Sequence, residues 1–344
     1  MTLQIGFALS PTWLRGASWR RADSDVEEMF SLAPYAKLAR AAEAASVDFL
    51  FVPDAGYLDA SVVDRAPGFS TLDSHTLVSA LAALTSRIRL VPTVQTSFAS
   101  PYSAARQLQS LHRISDGRAG WNAVTALGGH ENFGLADPPD APARYARAAE
   151  FVRVVTELWS SFPADAVLAD RNTGRFADAD RVRPIGFEGE HFRVKGPLSV
   201  PAHPGSRPPL FQAGASPAGV AFAGATADAV FGCAPDLDSA LAQRAALREA
   251  ATTAGRAPDD IRFLPGFSFF LADTRQEAAE LAAERTGGGP SHWTVVGTPD
   301  DAVEAIERRR AAGAIDGVIG LGGGSRASIR LFLEQVVPVL RDRL

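Results

Sequence analysis

Two short turns in this chain are suited to meeting an anion. Gln212-Ala213-Gly214-Ala215-Ser216-Pro217 leads a strand into a helix through glycine, and Gly322-Gly323-Gly324-Ser325 does the same near the C-terminus. In each, exposed N–H groups and the positive end of a helix dipole could cradle a phosphate. Each also reads as a plain strand-to-helix turn with a capping serine. Phosphate sites in barrels often follow the last two strands, which on that ground alone favours the Gly322 turn. The other polar residues at strand ends are Ser10, Asp54, Thr93, Asn122, Thr125 and Cys233, a set short of strong acids and bases. No His, Asp and Glu grouping has metal-ligand spacing, and no Ser-His-Asp arrangement can be defended. Such a set suits a cofactor that carries the reaction itself.

Six histidines are available for proton transfer. His130 follows a strand on the face where chemistry is expected and is the leading general base, with an exposed loop residue as the plain alternative. His292, beside Trp293, comes second. His75 opens a helix, His112 lies inside one and reads as structural, and His191 and His203 read as exposed. Trp13, Trp19, Phe7 and Phe98 could wall an apolar pocket or simply pack. The one cysteine, Cys233, excludes an internal disulfide and reads as an inert buried thiol.

The elements that must hold these residues alternate between short apolar runs and longer amphipathic ones. Strands are expected at 4–9, 49–53, 88–94, 119–124, 210–213, 229–233, 262–270 and 317–321, mostly continuous apolar runs as strands buried on both faces should be. Pro142 can start a helix whose stripe is Tyr145, Ala148, Val152, Val155 and Trp159. Pro101 opens another, carrying Ala104, Leu108 and Leu111 on one face. Thr298-Pro299-Asp300-Asp301 is a capped helix start, and a last helix runs from Ala327 to about Leu340. Eight such pairs favour a (β/α)8 TIM barrel, an α/β fold, as one domain over 1–344. Residues 161–209, rich in Asp, Arg, Gly and Pro, read as an insertion between helix 4 and strand 5, with 191–195 as its only strand.

The 344 residues are 46% hydrophobic and 21% charged, enough apolar material for a large core. A formal net charge of −5 gives no basic footprint for nucleic acid. The N-terminus lacks a secretory pattern and no apolar run is long enough for a membrane helix, so a cytoplasmic protein is expected.

One stretch carries a specific resemblance. Thr93-Val94-Gln95-Thr96-Ser97-Phe98-Ala99-Ser100-Pro101-Tyr102 leads to Ser115-Asp116-Gly117-Arg118-Ala119-Gly120-Trp121-Asn122-Ala123-Val124-Thr125 and then Asn132-Phe133-Gly134. In the same order follow Arg144-Tyr145, Pro197-Leu198-Ser199-Val200-Pro201, the Gln212 to Ser216 turn and Val295-Val296-Gly297-Thr298-Pro299. The pattern resembles the bacterial luciferase-like flavin-dependent monooxygenases, in the branch with nitrilotriacetate monooxygenase, pristinamycin IIA synthase and dibenzothiophene-sulfone monooxygenase.

The resemblance implies an enzyme that uses reduced FMN and O2 to oxygenate a small organic substrate, with C–N, C–S or C–halogen cleavage among the outcomes. It implies FMN phosphate on Gly214, Ala215, Ser216 and Tyr145, which displaces the Gly322 turn. It places Asn122 and Thr93 on the ring or ribityl chain, with Asn122 also close to the chemistry, and Asp54 with Ala55 at the ring edge. Asp54 could instead cap the following turn. A separate NAD(P)H:flavin reductase is implied as partner, since no strand leads into a dinucleotide fingerprint, and a homo-oligomer is common in the family. Three departures touch the substrate side: Ala126 after Thr125, a loose match over 11–20, and a short insertion. Other readings are an F420-dependent oxidoreductase, a flavin-binding protein without turnover, and a barrel hydrolase or isomerase working at the Gly322 turn.

Overall fold

The computed structural model describes residues 2–126, 128–135, 137, 140–283 and 292–343, apart from the side chain of Trp13. Eight parallel strands close on themselves: β1 (Gln4–Ala8), β2 (Phe49–Val52), β3 (Arg89–Gln95), β4 (Trp121–Val124), β5 (Leu210–Gln212), β6 (Ala229–Gly232), β7 (Arg262–Leu271) and β8 (Gly317–Gly322). Each pairs with the next in sequence, and β8 returns to β1 with Gln4 opposite Gly317. All eight expected strands are present within one or two residues of their expected ends. The chain folds as the (β/α)8 barrel the alternation pointed to.

Two cores share the strands because successive side chains face opposite sides. The barrel interior holds Phe49, Phe51, Val91, Phe211, Leu264 and Ile319. Its rings meet edge to face, with Phe49 and Phe211 centroids 5.0 Å apart and Phe51 and Phe231 5.3 Å apart. Gly6 makes room for them, since the Phe49 ring occupies the place a Cβ there would take. The larger core lies between strands and helices and takes the opposite faces, including Ile5, Phe7, Trp121 and Ala123. Phe7, a candidate pocket wall, is 1% exposed and lies 6.4 Å from Phe332. Period-2 alternation turns it away from the barrel mouth, so it packs against the last helix.

The helices that carry the site are α1 (Ala33–Ala44), α2 (Ser74–Ala82), α3 (Pro101–Ile114), α4 (Ala141–Ser160) and α5 (Pro217–Thr226), followed by α6 (Leu237–Thr253), α7 (Arg275–Ala283), α8 (Pro299–Ala311) and α9 (Arg326–Leu331). The last runs through a π turn at Phe332–Val336 into α10 (Val337–Arg343), which extends the expected final helix at both ends.

The sequence reading omits a ninth strand, Trp293–Gly297, parallel to the last five residues of β7. At ten residues β7 outruns its neighbours. Along one edge Arg262 to Pro265 pair with β6, and Phe267 to Leu271 then pair with this added strand. Within 161–209 the structure has two small antiparallel pairs, Val167–Asp170 with Arg175–Ala177 and Phe187–Glu188 with Arg193–Val194. Only the last of these was anticipated, because strands of two to four residues are too short to show a period. No helix among the described residues is long and apolar enough to cross a membrane.

Candidate functional site at the barrel mouth

The β3–β4 register sets Thr93 opposite Asn122. The Thr93 hydroxyl has one proton and donates it to the Val52 carbonyl at 2.8 Å. It can therefore only accept from Asn122, whose Nδ2 donates to it at 3.1 Å. That fixes the amide, and Asn122 Oδ1 is left buried without a hydrogen-bond partner among the described residues. A buried orphan acceptor costs about 1–3 kcal/mol unless something donates to it.

Ser74 ties this pair to the start of α2. Its Oγ donates to Thr93 O at 3.2 Å and accepts from Thr93 N at 3.3 Å. Asp54, just past β2, accepts from Ala55 N at 2.8 Å and from Ser74 N at 2.9 Å, one carboxylate oxygen for each. This is the turn-capping role the sequence had left open for Asp54. It locks the β2 loop, Ala55 included, to the start of α2 and so to Thr93. His75 follows Ser74, and burial pushes its imidazole below the ordinary histidine value, partly opposed by Asp73 and Asp54.

The second network lies after β5. Ser216 caps α5, its Oγ accepting from Gly219 N at 3.1 Å. Tyr145 reaches over this turn from α4, packed on Phe222 at 5.7 Å. A Cβ on Gly214 would lie 2.9 Å from the Tyr145 hydroxyl, and one on Gly219 only 2.7 Å from it. Both glycines thus keep space beside polar atoms, with Ala215 and Ser216 open to solvent. The first N–H groups of α5 have no partners within the helix and face this space. Gln212, 2% exposed, ends β5 below it and has a buried Oε1 without a partner among the described residues. The register puts Ala123 opposite Gln212, so the orphan acceptors of Asn122 and Gln212 belong to adjoining strands.

The Gly322 turn differs. A Cβ on Gly322 would strike Ile329 at 2.5 Å and one on Gly323 the Phe270 ring at 2.7 Å, so these glycines serve apolar packing. Gly323 N bonds Phe269 O and Ser325 N bonds Gly323 O, which removes two of the amides a phosphate would use.

His130 joins neither network. It opens the turn His130–Phe133 after β4, with Nδ1 3.4 Å from Glu131 Oε2 and its side chain 15% exposed. That turn packs on the β2 and β3 loops, where Asn132 Nδ2 donates to Gly56 O at 2.8 Å and Phe133 stacks on Phe98 at 4.4 Å. Trp19 donates from Nε1 to Arg65 O at 2.9 Å. Trp13 lies outside the described side chains. His292 stacks on Phe231 at 5.5 Å across the mouth. His203, expected to be exposed, is 15% exposed and sets its ring edge on His112 at 4.9 Å, a contact between distant segments that no local pattern signals. Burial pushes the Cys233 thiol up, which suits an inert group.

Reading by residue type gave no role to Gln212 or Gly219. Their signals are a glutamine ending an apolar strand and a glycine in the first turn of a helix, where alanine would be favoured. Among the described residues no group of three or more His, Cys, Asp and Glu could hold a metal.

The family model described as luciferase-like monooxygenase matches residues 14–313. N-acetyl-S-(2-succino)cysteine monooxygenase of Bacillus subtilis (strain 168) is 36% identical over 278 residues, 80% of this chain and 63% of that protein. Nitrilotriacetate monooxygenase component A of Aminobacter aminovorans is 35% identical over 288 residues, 80% of this chain and 64% of that protein. The chain thus spans less than two thirds of the length of these curated relatives. Among solved structures, riboflavin lyase with modified FMN and riboflavin superposes with a TM-score of 0.90 at 27% identity, covering 100% of this chain and 92% of that one.

Proposed function

This chain belongs to the luciferase-like monooxygenase family, and on that premise we propose that it is the oxygenating component of a two-component flavin system. The unit is a single barrel domain over 1–344 with 161–209 inserted. It takes reduced FMN from a separate NAD(P)H:flavin reductase and transfers one atom of O2 to a small organic substrate, the other leaving as water. Relatives named for substrates with C–N and C–S bonds make cleavage of such a bond the leading outcome.

The observation that carries the FMN reading is the space kept by Gly214 and Gly219 under the Tyr145 hydroxyl. There Tyr145, Ser216 and the first amides of α5 would hold the phosphate. The buried acceptors Asn122 Oδ1 and Gln212 Oε1 suit a group rich in donors, as the ribityl hydroxyls and ring N–H of FMN are. Thr93 holds Asn122 in place, and Asp54 with Ala55 shapes the edge of the ring site through Ser74. When bound, reduced FMN supplies the electrons for oxygen activation. His130, in the wall made by the β2, β3 and β4 loops, is the residue assigned to proton transfer, and those loops shield the site from water.

Ser216→Asp tests the phosphate site, because aspartate caps a helix as well as serine and only adds a negative charge. Fluorescence titration is expected to show at least tenfold weaker FMN binding with an unchanged melting temperature; wild-type affinity would remove FMN from this turn. Rapid mixing of the protein and reduced FMN with O2 then tests oxygen activation, with reoxidation expected to follow a different course from that in buffer. The F420 reading takes over if F420 binds and FMN does not.

A further inference from the structure

The Gly322 turn, which the flavin does not use, borders a second polar pocket at the mouth. This pocket lies where the carboxyl ends of β7 and β8 meet the loop after β1, and it is lined by Thr12, Arg15, Ser18, Ser268 and His292 with Phe270. It sits on the same carboxyl-end face as the Asn122 and Ser216 networks but on the far side of the strand circle, which runs from β4 and β5 round to β7 and β8. Substrates of (β/α)8 enzymes are bound at this face. A substrate lying over the middle of the mouth would have one end at this pocket.

The chemistry of the lining is one-sided. It offers a guanidinium, an imidazole and three hydroxyls, and among its described residues there is no carboxylate. Thr12 Oγ1 donates to Gly322 O at 2.6 Å, which leaves its lone pairs outward and orients the loop carrying Arg15. Ser18 is 3% exposed, and the imidazole of His292 is held by its stack on Phe231 and its contact with Gly266, so two donors stand on fixed supports. The cavity is about 30 Å³. A water-sized group needs roughly 10–15 Å³ on this measure, so the space matches two such groups, the two oxygens of one carboxylate. A tetrahedral phosphate with its oxygens is too large. An arginine fork facing a planar pair of oxygens is also the pairing guanidinium geometry favours.

We propose that this pocket is a substrate-recognition subsite that binds a carboxylate of the organic substrate, with Arg15 as its principal anchor and His292, Ser18 and Ser268 as supporting donors. The inference deepens the oxygenase reading and rests on it for the identity of the ligand as substrate. It makes the substrate class an organic acid whose reacting atom lies toward the middle of the mouth, away from its carboxylate.

The test uses the full chain and four small probes. Calorimetric titration with succinate is expected to show saturable binding, while succinamide, its uncharged diamide, does not bind. Arg15→Gln is expected to weaken succinate at least tenfold, and Arg15→Lys to recover part of that loss. FMN titrated into the same samples is expected to bind wild type and Arg15→Gln alike. Succinate affinity unchanged in Arg15→Gln, equal binding of succinamide, or no succinate binding to wild type would each overturn the subsite. Inorganic phosphate displacing succinate at lower concentration would overturn the carboxylate assignment. Succinate binding that depends on Arg15 in a protein that does not bind FMN would leave the subsite standing and remove the flavin reading, so the two failures are distinct.

Discussion

The hydroxyl proton of Thr93 is spent on Val52 O, and from that single fact the orientation of Asn122 follows. Asn122→Ala removes the exposed acceptor while leaving Thr93 its bond to Val52, so the barrel should keep its stability within about 1 kcal/mol. FMN affinity is expected to fall about tenfold, the worth of roughly one hydrogen bond in a dry site. Equilibrium dialysis against FMN reads this, and wild-type affinity would return Asn122 to a plain structural role. Asn122 was legible in the sequence because a polar residue inside an apolar strand demands a partner. Gln212 satisfies the same criterion but was absorbed into the glycine turn that follows it. Asp54 was legible only as two alternatives, since a carboxylate two residues after a strand can meet a ligand or cap a helix. The structure gives both its oxygens backbone partners, which makes it a brace for the Ala55 loop.

At the scale of elements, the segment from Gly117 to Asn122 divides its work residue by residue. Arg118 donates to the carbonyls of Ala82, Thr85, Ile88 and Ser115 and to Thr85 Oγ1, all between 2.8 and 3.0 Å. It thereby gathers the C-terminal ends of α2 and α3 at the base of β4. Trp121 turns outward onto Trp159 of α4 at 6.0 Å, and Asn122 turns inward. The motif was legible as a signature of family, but the task of Arg118 was not, because its partners lie 30 or more residues away. Arg118→Ala is expected to cost about 3 kcal/mol in urea denaturation, since several carbonyls lose a charged donor. A loss below about 1 kcal/mol would show that water replaces the guanidinium. The 161–209 segment is fastened by similar means: Glu150 of α4 accepts from the amides of Glu190, His191 and Phe192 at 2.7 to 3.1 Å. Its composition suggested a loose excursion. Its backbone is instead pinned to the helix that carries Tyr145, a contact no local pattern could announce.

For the whole molecule, pH is the variable through which buried groups act together. His112 is fully buried between α3 and the inserted segment, with Nε2 2.7 Å from Ser206 O. Burial pushes its imidazole below the ordinary histidine value; the Ser206 and Ala119 backbone groups oppose this, and nearby His203 and Arg89 add to it. His75 is displaced in the same direction, chiefly by burial. A depressed histidine in the fold means that the unfolded chain takes up protons first. Stability from these two residues is complete above about pH 6.5, and falls as pH drops from there through their lower folded values. Each adds a slope of up to about 1.4 kcal/mol per pH unit in that window. Glu43 acts in a separate, more acid window. Burial alone would raise its carboxyl, but the amides of Ile88, Arg87 and Ser86 together with the Arg87 charge outweigh that and lower it, so its contribution holds above about pH 4.5 and fails below. Urea midpoints are therefore expected to be level from pH 8 to about 7, to decline below about pH 6.5, and to steepen again below about 4.5. His112→Gln removes one ionisation and should flatten the first decline, at some cost in stability at neutral pH. A first decline that is equally steep in His112→Gln would assign the upper limb to His75 or to other groups and leave His112 as packing alone.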